Sequence, residues 1–236
     1  MFLAMTCHAL GLYAQNDAPN KQSPLTAKQQ SIITISALTA RGELQTLKPA
    51  LNQGMDAGMS INEIKEVLVH LYAYCGFPRS IRGLQTFMEV LAERKADGII
   101  DVEGAGASPI NHKADKYERG RTILGELTQT APEKPMTGYG AFAPVIDIFL
   151  KEHLFADIFE RDVLTHAERE LVTISVISAI GNAAPMLRAH LNICLNVGYT
   201  PSQLQHFVSV IKPTIGKKAA KEAQRILSEE LHHKRQ

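Results

Sequence analysis

The apolar residues of this chain recur at helical spacing in two long segments, and the second segment repeats the first. Each segment opens with Leu-Thr, continues into a nearly unbroken apolar stretch and then returns to amphipathic spacing. Corresponding positions, first copy before second, are Leu25 and Leu164, 33–38 and 172–177, Leu51 and Leu191, Gly58 and Gly198, and Gly76 and Gly216. Because the matches extend over most of both segments, they indicate duplication of one structural unit.

Each unit is predicted to consist of helices. The first and third helices of a unit begin with capping boxes, in which a hydroxyl and a side chain three residues later bind free backbone N–H groups. These boxes are Thr26-x-x-Gln29, Ser60-x-x-Glu63, Thr165-x-x-Glu168 and Thr200-x-x-Gln203. The second helix of each unit should end at Gly58 or Gly198, since glycine readily adopts the left-handed backbone that terminates helices. No alternating strand pattern is present, so we predict an all-α fold.

The pattern divides the chain into four segments. Residues 1–24 precede the repeats, residues 25–96 form the first unit, and residues 144–236 form the second. The linker between the units, residues 97–143, holds glycines and prolines around one predicted helix at 115–128. The second unit opens with an amphipathic stretch at 144–159 that is also predicted to be helical.

Composition and charge exclude several classes of partner. The chain has 25 Lys and Arg against 24 Asp and Glu, so no excess of positive charge points to a nucleic acid or an anionic membrane. No apolar run reaches the roughly 18 residues of a membrane-spanning helix. Met1 to Ala14 is apolar and uncharged, and its end resembles the cleavage site of a secretory signal, although the usual basic start is missing. The alternative is an apolar helix of a cytoplasmic protein, and the pattern slightly favours an exported or periplasmic one.

Motifs in both units resemble the carboxymuconolactone decarboxylase family. The second unit carries Glu168-Arg169-Glu170-Leu171, then His190, then Gly198, and the first unit carries Tyr74-x-Gly76-x-Pro78. Residues 117–121 and 154–161 also resemble family segments, so that the resemblance spans roughly residues 25 to 231. It implies tandem alkylhydroperoxidase-like helical units that form an intramolecular pseudo-dimer. It also implies a homo-oligomer, a trimer of two-unit chains.

The resemblance allows two chemistries, and the cysteines separate them. Redox members use C-x-x-C-x-x-x-H, with one thiolate that attacks a peroxide and a second that resolves the product. If His190 is that histidine, the cysteine positions hold Ala183 and Met186, so an alkylhydroperoxidase-like antioxidant activity is disfavoured. The aligned positions of the first unit hold Glu43, Thr46 and Ala50.

The decarboxylase branch of the family needs less conspicuous residues. Loss of CO2 from a lactone acid requires a cation and a proton donor, and it demands no metal or organic cofactor. We therefore expect cofactor-free decarboxylation or lactone processing of a small carboxylated substrate. The remaining alternative is a non-catalytic binding or scaffold protein.

The resemblance and the chemistry together suggest the residues of the site. His190 and Tyr74 are the expected acid–base pair, and Glu66 is the expected carboxylate partner of His190. Arg161 is a candidate cation for the substrate carboxylate, with Gly76 and Pro78 shaping the adjacent turn. The simpler interpretations are a packed or surface histidine, a solvated Glu66 and an ordinary interface turn.

Two further expectations concern the arrangement of these groups. Arg169 is a second candidate cation for the substrate carboxylate, and the simpler interpretation is that it forms helix salt bridges with Glu168 and Glu170 beside it. No metal-binding motif is present. Because the histidine is kept in unit two and the tyrosine turn in unit one, we expect one composite site across a pseudo-twofold axis. The competing view is that both sites have degenerated.

Overall fold

The computed structural model describes residues 24–110, 114–130 and 137–234, and this part of the chain contains helices and no strand. The all-α prediction is therefore confirmed for the described residues. The signal-like stretch from Met1 to Ala14 lies outside them. The helices are α1 (Ala27–Arg41), α2 (Leu44–Asp56), α3 (Ile61–His70), α4 (Tyr72–Ala96), α5 (Lys116–Thr128), α6 (Gly138–Phe142), α7 (Pro144–Ile148), a π-helix (Phe149–Phe159), α8 (His166–Ile180), α9 (Ala184–Asn196) and α10 (Pro201–His233).

The helix starts follow the predicted capping chemistry. The hydroxyl of Thr26 accepts from the backbone N–H of Gln29, and the other three capping boxes form in the same way. Gly58 and Gly198 terminate the second helix of each unit with φ angles of 89° and 106°, which favour glycine. Local sequence signals therefore define the helix boundaries in both copies.

The two units pack together through their first helices. Helix α1 lies along α8, and most residues of both helices after their first turns are buried because this part of each helix is largely apolar. Lys28 lies between Glu63 of its own unit and Glu168 of the other, and the Leu25 N–H donates to His206 Nδ1 at 3.1 Å. One continuous core spans both units, as a tandem helical arrangement requires.

The third and last helices of each unit join at a glycine kink rather than through a loop. Gly76 has φ 79° and ψ 161°, and Gly216 has φ 83° and ψ 165°. The backbone keeps the same unusual conformation in both copies, although the residues on either side differ. In the first unit the kink lies two residues after Tyr74, at the end of the helical segment that carries this side chain.

A π-helix leads into the second unit, where the sequence pattern predicts an ordinary helix. It packs against α5, and the approach is so close that a Cβ at Gly120 would lie 1.8 Å from the carbonyl oxygen of Lys151. Phe155 and Phe159 anchor a small second core there. This packing places Phe159 against the buried ring of His70, with ring centroids 5.1 Å apart.

None of the described helices combines the length and the apolar character that crossing a lipid bilayer would require.

Candidate functional site

A cluster of polar side chains lies where α3 and α4 of the first unit meet α8 and α9 of the second. Tyr74, from the first unit, and His190, from the second, face each other edge to face with ring centroids 6.3 Å apart. The side chain of His190 keeps 15% of its surface exposed, and Tyr74 is half-buried. The structure thus brings the two predicted acid–base residues together across the units.

His190 takes its carboxylate partner from its own unit, and the expectation that Glu66 fills this role is wrong. Glu170 Oε2 lies 2.9 Å from His190 Nδ1, and the Glu170 side chain is completely buried. A carboxylate can only accept, so Nδ1 carries a proton and Nε2 is the nitrogen left for exchange. The other oxygen of Glu170, Oε1, has no hydrogen-bond partner among the described residues.

Glu66 instead binds two arginines of the second half of the chain. Arg161 donates to it through Nε at 2.8 Å and Nη2 at 3.0 Å, and Arg169 donates through Nη2 at 2.7 Å. Burial raises the pKa of the Glu66 carboxyl, but the hydrogen bonds from Arg161 and Arg169 outweigh burial and hold the pKa below its usual range. Glu66 is therefore an ionised, buried anchor and not a solvated residue.

Arg169 is completely buried, and the expectation of helix salt bridges with its sequence neighbours is wrong. Adjacent residues of a helix point in different directions, so Glu168 and Glu170 cannot both share its face. Besides Glu66, Arg169 binds the carbonyl oxygen of Arg161 at 2.7 Å. Arg161 keeps 38% of its side chain exposed, and its Nη1 forms no hydrogen bond within the described ranges, so it remains free for an incoming anion.

Two further residues of the cluster, His70 and Thr173, were missed by sequence reasoning. Both are fully buried, and Thr173 Oγ1 lies 3.0 Å from His70 Nε2 and 3.1 Å from the hydroxyl of Tyr74. His70 also stacks on the Tyr74 ring, with centroids 5.4 Å apart. The sequence signal that could have identified His70 is that the equivalent position of the other copy holds Val210.

Burial controls the ionisation of both rings of the first unit. Burial raises the pKa of the Tyr74 phenol, and the negative charge of Glu170 raises it further, so Tyr74 is a neutral hydroxyl. Burial lowers the pKa of His70 well below its usual value, and electrostatic interactions with Arg169 and His190 lower it further. His70 is therefore a neutral imidazole at physiological pH.

The predicted turn residues lie at the edge of this cluster. Gly76 provides the positive φ of the kink, and Pro78 is exposed two residues further along α4. Their role in substrate binding remains a prediction.

The pseudo-symmetric position on the other side of the molecule has lost its charged groups. A cavity of about 430 Å³ lies there, and its lining includes small and neutral residues. Residues equivalent to Arg169, Glu170, Thr173, His190 and His70 are respectively Gln30, Ser31, Thr34, Ala50 and Val210. Only one of the two related positions therefore carries the ionisable cluster.

A larger cavity, of about 890 Å³, lies on the second unit between the end of α8, the start of α9 and α10. It is lined partly by apolar residues such as Leu187 and Ile215, and neither Tyr74 nor His190 lines it. The polar cluster is the candidate site because proton donors, a carboxylate and cations converge there from both units.

The described cysteines do not form a redox pair. Burial raises the pKa of the Cys75 thiol to about 11 and that of Cys194 well above its usual value. Both are free thiols, and Met186 stands one helical turn before His190 where a redox member has a cysteine. No group of three or more His, Cys, Asp or Glu side chains suited to a metal ion occurs in the described part of the chain.

Comparison with known proteins identifies the family of both units. The model of the Carboxymuconolactone decarboxylase family matches residues 8–87 and 146–229. Its first region begins inside residues 1–24, the segment that the sequence pattern sets apart. None of the curated proteins compared with the chain matches it significantly. The two matched regions cover more than half of the chain and correspond to its two units, so the chain belongs to the Carboxymuconolactone decarboxylase family.

Proposed function

We propose that the protein is a decarboxylase-like carbon–carbon lyase that acts on a small carboxylated lactone or a related acid. The observation that carries the proposal is the pairing of Tyr74 with His190 across the two units, with the partly exposed cation Arg161 joined to this cluster through Glu66 and Arg169. A cation that binds a carboxylate and a donor that returns a proton are sufficient for this reaction, so the proposal invokes no cofactor.

The proposed reaction breaks the bond between the substrate carboxylate and its α-carbon. Arg161 Nη1 orients the carboxylate, and the bonding electron pair moves into the conjugated lactone carbonyl as CO2 leaves. The Tyr74 hydroxyl donates to the carbonyl oxygen that gains negative charge. His190 then delivers a proton from Nε2 to the carbon, and Glu170 holds the ring through Nδ1. One proton is consumed for each CO2 released, and His190 regains it from water.

The proposal is tested with carboxymuconolactone, the lactone acid after which the family is named. Its loss and the release of CO2 are measured for the wild type and for His190→Ala and Tyr74→Phe. Each substitution is expected to lower kcat by about 100-fold to 10,000-fold, the range for loss of a positioned acid or base. The exposed His153→Ala and Tyr139→Phe serve as matched controls and should retain full activity. Normal activity in either site variant contradicts the composite site.

A second candidate function is ligand binding without turnover. It is favoured by the engagement of both arginines with Glu66, which neutralises part of their charge before any ligand arrives. A binding protein would be stabilised by carboxymuconolactone, because a ligand of the folded state raises the thermal midpoint, and yet would release no CO2. A thermal shift combined with the CO2 assay distinguishes the two functions.

We also infer that the protein self-associates through α4. Phe77, Ile81 and Met88 form an apolar stripe along this helix, with exposures of 62%, 47% and 68%. The equivalent positions of the second unit hold Lys217, Lys221 and Ser228, so the fold itself does not require apolar residues there.

The charges beside the stripe favour a second copy of the same chain as its partner. An antiparallel pair of α4 helices would place Arg82 of one copy near Glu89 of the other, and both side chains are exposed. Large exposed apolar stripes commonly mark protein interfaces. This two-fold contact would join two chains, and a trimer of two-unit chains would need a further, different interface.

A further inference from the structure

A chain of buried hydrogen bonds connects Arg169 to the hydroxyl of Tyr74. Arg169 Nη1 lies 3.3 Å from His70 Nδ1, and His70 Nε2 lies 3.0 Å from Thr173 Oγ1. Thr173 Oγ1 in turn lies 3.1 Å from the Tyr74 hydroxyl. The chain passes from unit two to unit one and back before it ends at Tyr74.

Arg169 determines the direction of the first two hydrogen bonds. A guanidinium group has donors and no acceptor, so His70 Nδ1 must accept and cannot carry a proton. Because His70 is neutral, its one ring proton lies on Nε2, where it donates to Thr173 Oγ1. The tautomer of His70 is thus imposed by a charge on the other unit.

Thr173 has one proton and two acceptors within reach. Its hydroxyl lies 3.0 Å from the carbonyl oxygen of Arg169 and 3.1 Å from the Tyr74 oxygen. When Thr173 donates to the carbonyl, Tyr74 donates inward to Thr173. When Thr173 donates to the Tyr74 oxygen, the O–H bond of Tyr74 turns away from Thr173 and points toward the site. The first arrangement pairs all of these donors without a ligand, whereas the second leaves the Tyr74 O–H available to an acceptor in the site, so a ligand that supplies this acceptor favours the second arrangement.

We propose that His70 and Thr173 are positioning residues that allow Tyr74 to donate its hydroxyl proton to an acceptor atom of a bound ligand. The identity of that ligand rests on the proposed function, whereas the hydrogen-bond chain does not. The fold does not need a histidine at this position, since the equivalent residue of the other unit is Val210. The equivalents of Arg169 and Tyr74 there are Gln30 and Thr214, so the whole chain of donors is confined to the polar site.

The tautomer of His70 is tested directly by nitrogen-15 NMR of histidine-labelled protein, with His70→Gln used to assign the signals. The expected result is a neutral ring with the proton on Nε2 between about pH 6 and 8, the range in which an ordinary histidine titrates. A proton on Nδ1, or a ring that titrates like a free histidine, overturns the proposal. This measurement needs no substrate, so it remains decisive if carboxymuconolactone is not turned over.

Conservative and non-conservative substitutions separate positioning from mere packing. The amide of His70→Gln can accept from Arg169 and donate to Thr173, whereas His70→Leu can do neither. With carboxymuconolactone as substrate, we expect His70→Gln and Thr173→Ser to stay within about 3-fold of wild-type kcat. His70→Leu and Thr173→Val should lose about 10-fold to 100-fold in kcat with little change in KM. Equal loss in both members of a pair contradicts the proposal.

Discussion

Arg169 of the second unit donates to the Glu66 carboxylate of the first at 2.7 Å, and neither side chain is exposed. The contact joins the parts of the polar site that the two units contribute. Arg169 also connects it, through His70, to Tyr74 of the proposed acid–base pair. It has a structural consequence of its own, because a buried charge that loses its partner is costly.

Replacing Arg169 with methionine is expected to lower the free energy of unfolding by about 3 to 5 kcal/mol, the range for breaking a buried ion pair. The measurement is urea unfolding of the wild type and the variant. Arg188→Met is the matched control, since that arginine pairs with Glu229 at a partly exposed site. Its cost should stay below about 1 kcal/mol. Equal losses in the free energy of unfolding for the two variants would show that the buried ion pair contributes no more than the partly exposed one.

His70 should make the protein less stable in mild acid. Burial lowers its pKa in the folded state, so the unfolded chain binds a proton more readily. Its contribution to stability is therefore complete above the unfolded pKa of about 6.5 and is lost as pH falls below it, by at most about 1.4 kcal/mol per pH unit.

His70→Gln removes this acid-sensitive component. Urea unfolding at about pH 7.5 and 5.5 should show a smaller loss of stability in the variant than in the wild type. Arg169, Tyr74, Glu66 and His190 also face the ring, and all four are present in both proteins, so their contributions largely cancel. Parallel losses in the two proteins would contradict a buried neutral His70.

Substitutions at the two glycine kinks distinguish an effect on stability from an effect on activity. Gly76→Ala and Gly216→Ala both force a side chain into a positive-φ backbone and should each cost about 1 to 2 kcal/mol. Only Gly76 adjoins the site, because Tyr74 lies two residues before it. We therefore expect Gly76→Ala to lose lactone turnover as well as stability, while Gly216→Ala loses stability alone. Loss of turnover in both variants would mean that the kinks act only through folding.

The environment of the Cys75 thiol predicts that the protein does not reduce peroxide. A thiol with a pKa of about 11 is ionised to only about one part in ten thousand at pH 7, and the thiolate is the form that attacks peroxide. Hydrogen peroxide supplied with dithiothreitol should therefore be consumed at the background rate, and Cys75→Ser should behave like the wild type. Consumption that is abolished by Cys75→Ser would revive the redox function.

The apolar stripe of α4 can be tested by light scattering. Met88→Glu places a charge in the proposed contact and should shift the molar mass toward that of a single chain. Ser228→Glu, at the equivalent position of the second unit, is the matched control and should leave the molar mass unchanged. A wild type that is already a single chain at high concentration would refute the self-association.

The repeat, the helix caps and the glycine kinks were accessible from sequence because each depends on a few neighbouring residues. The approach of Tyr74 to His190 was also accessible, since a pseudo-twofold axis brings complementary ends of the two units together. The partner of His190 was not, because a choice between Glu66 and Glu170 depends on how two helices are rotated against each other. The sequence did not predict the π-helix for a similar reason, because packing against α5 determines the number of residues per turn there.

The loss of charge at the second, pseudo-symmetric position has a consequence for how such a protein can change over time. In a dimer of identical chains every substitution appears twice, so any residue gained at one site is imposed on its twin. Once two copies share a polypeptide, each half mutates by itself, and Gln30 can stand where its counterpart is Arg169. A saturating ligand should therefore occupy one place per polypeptide, half of what an unfused ancestor would bind per pair.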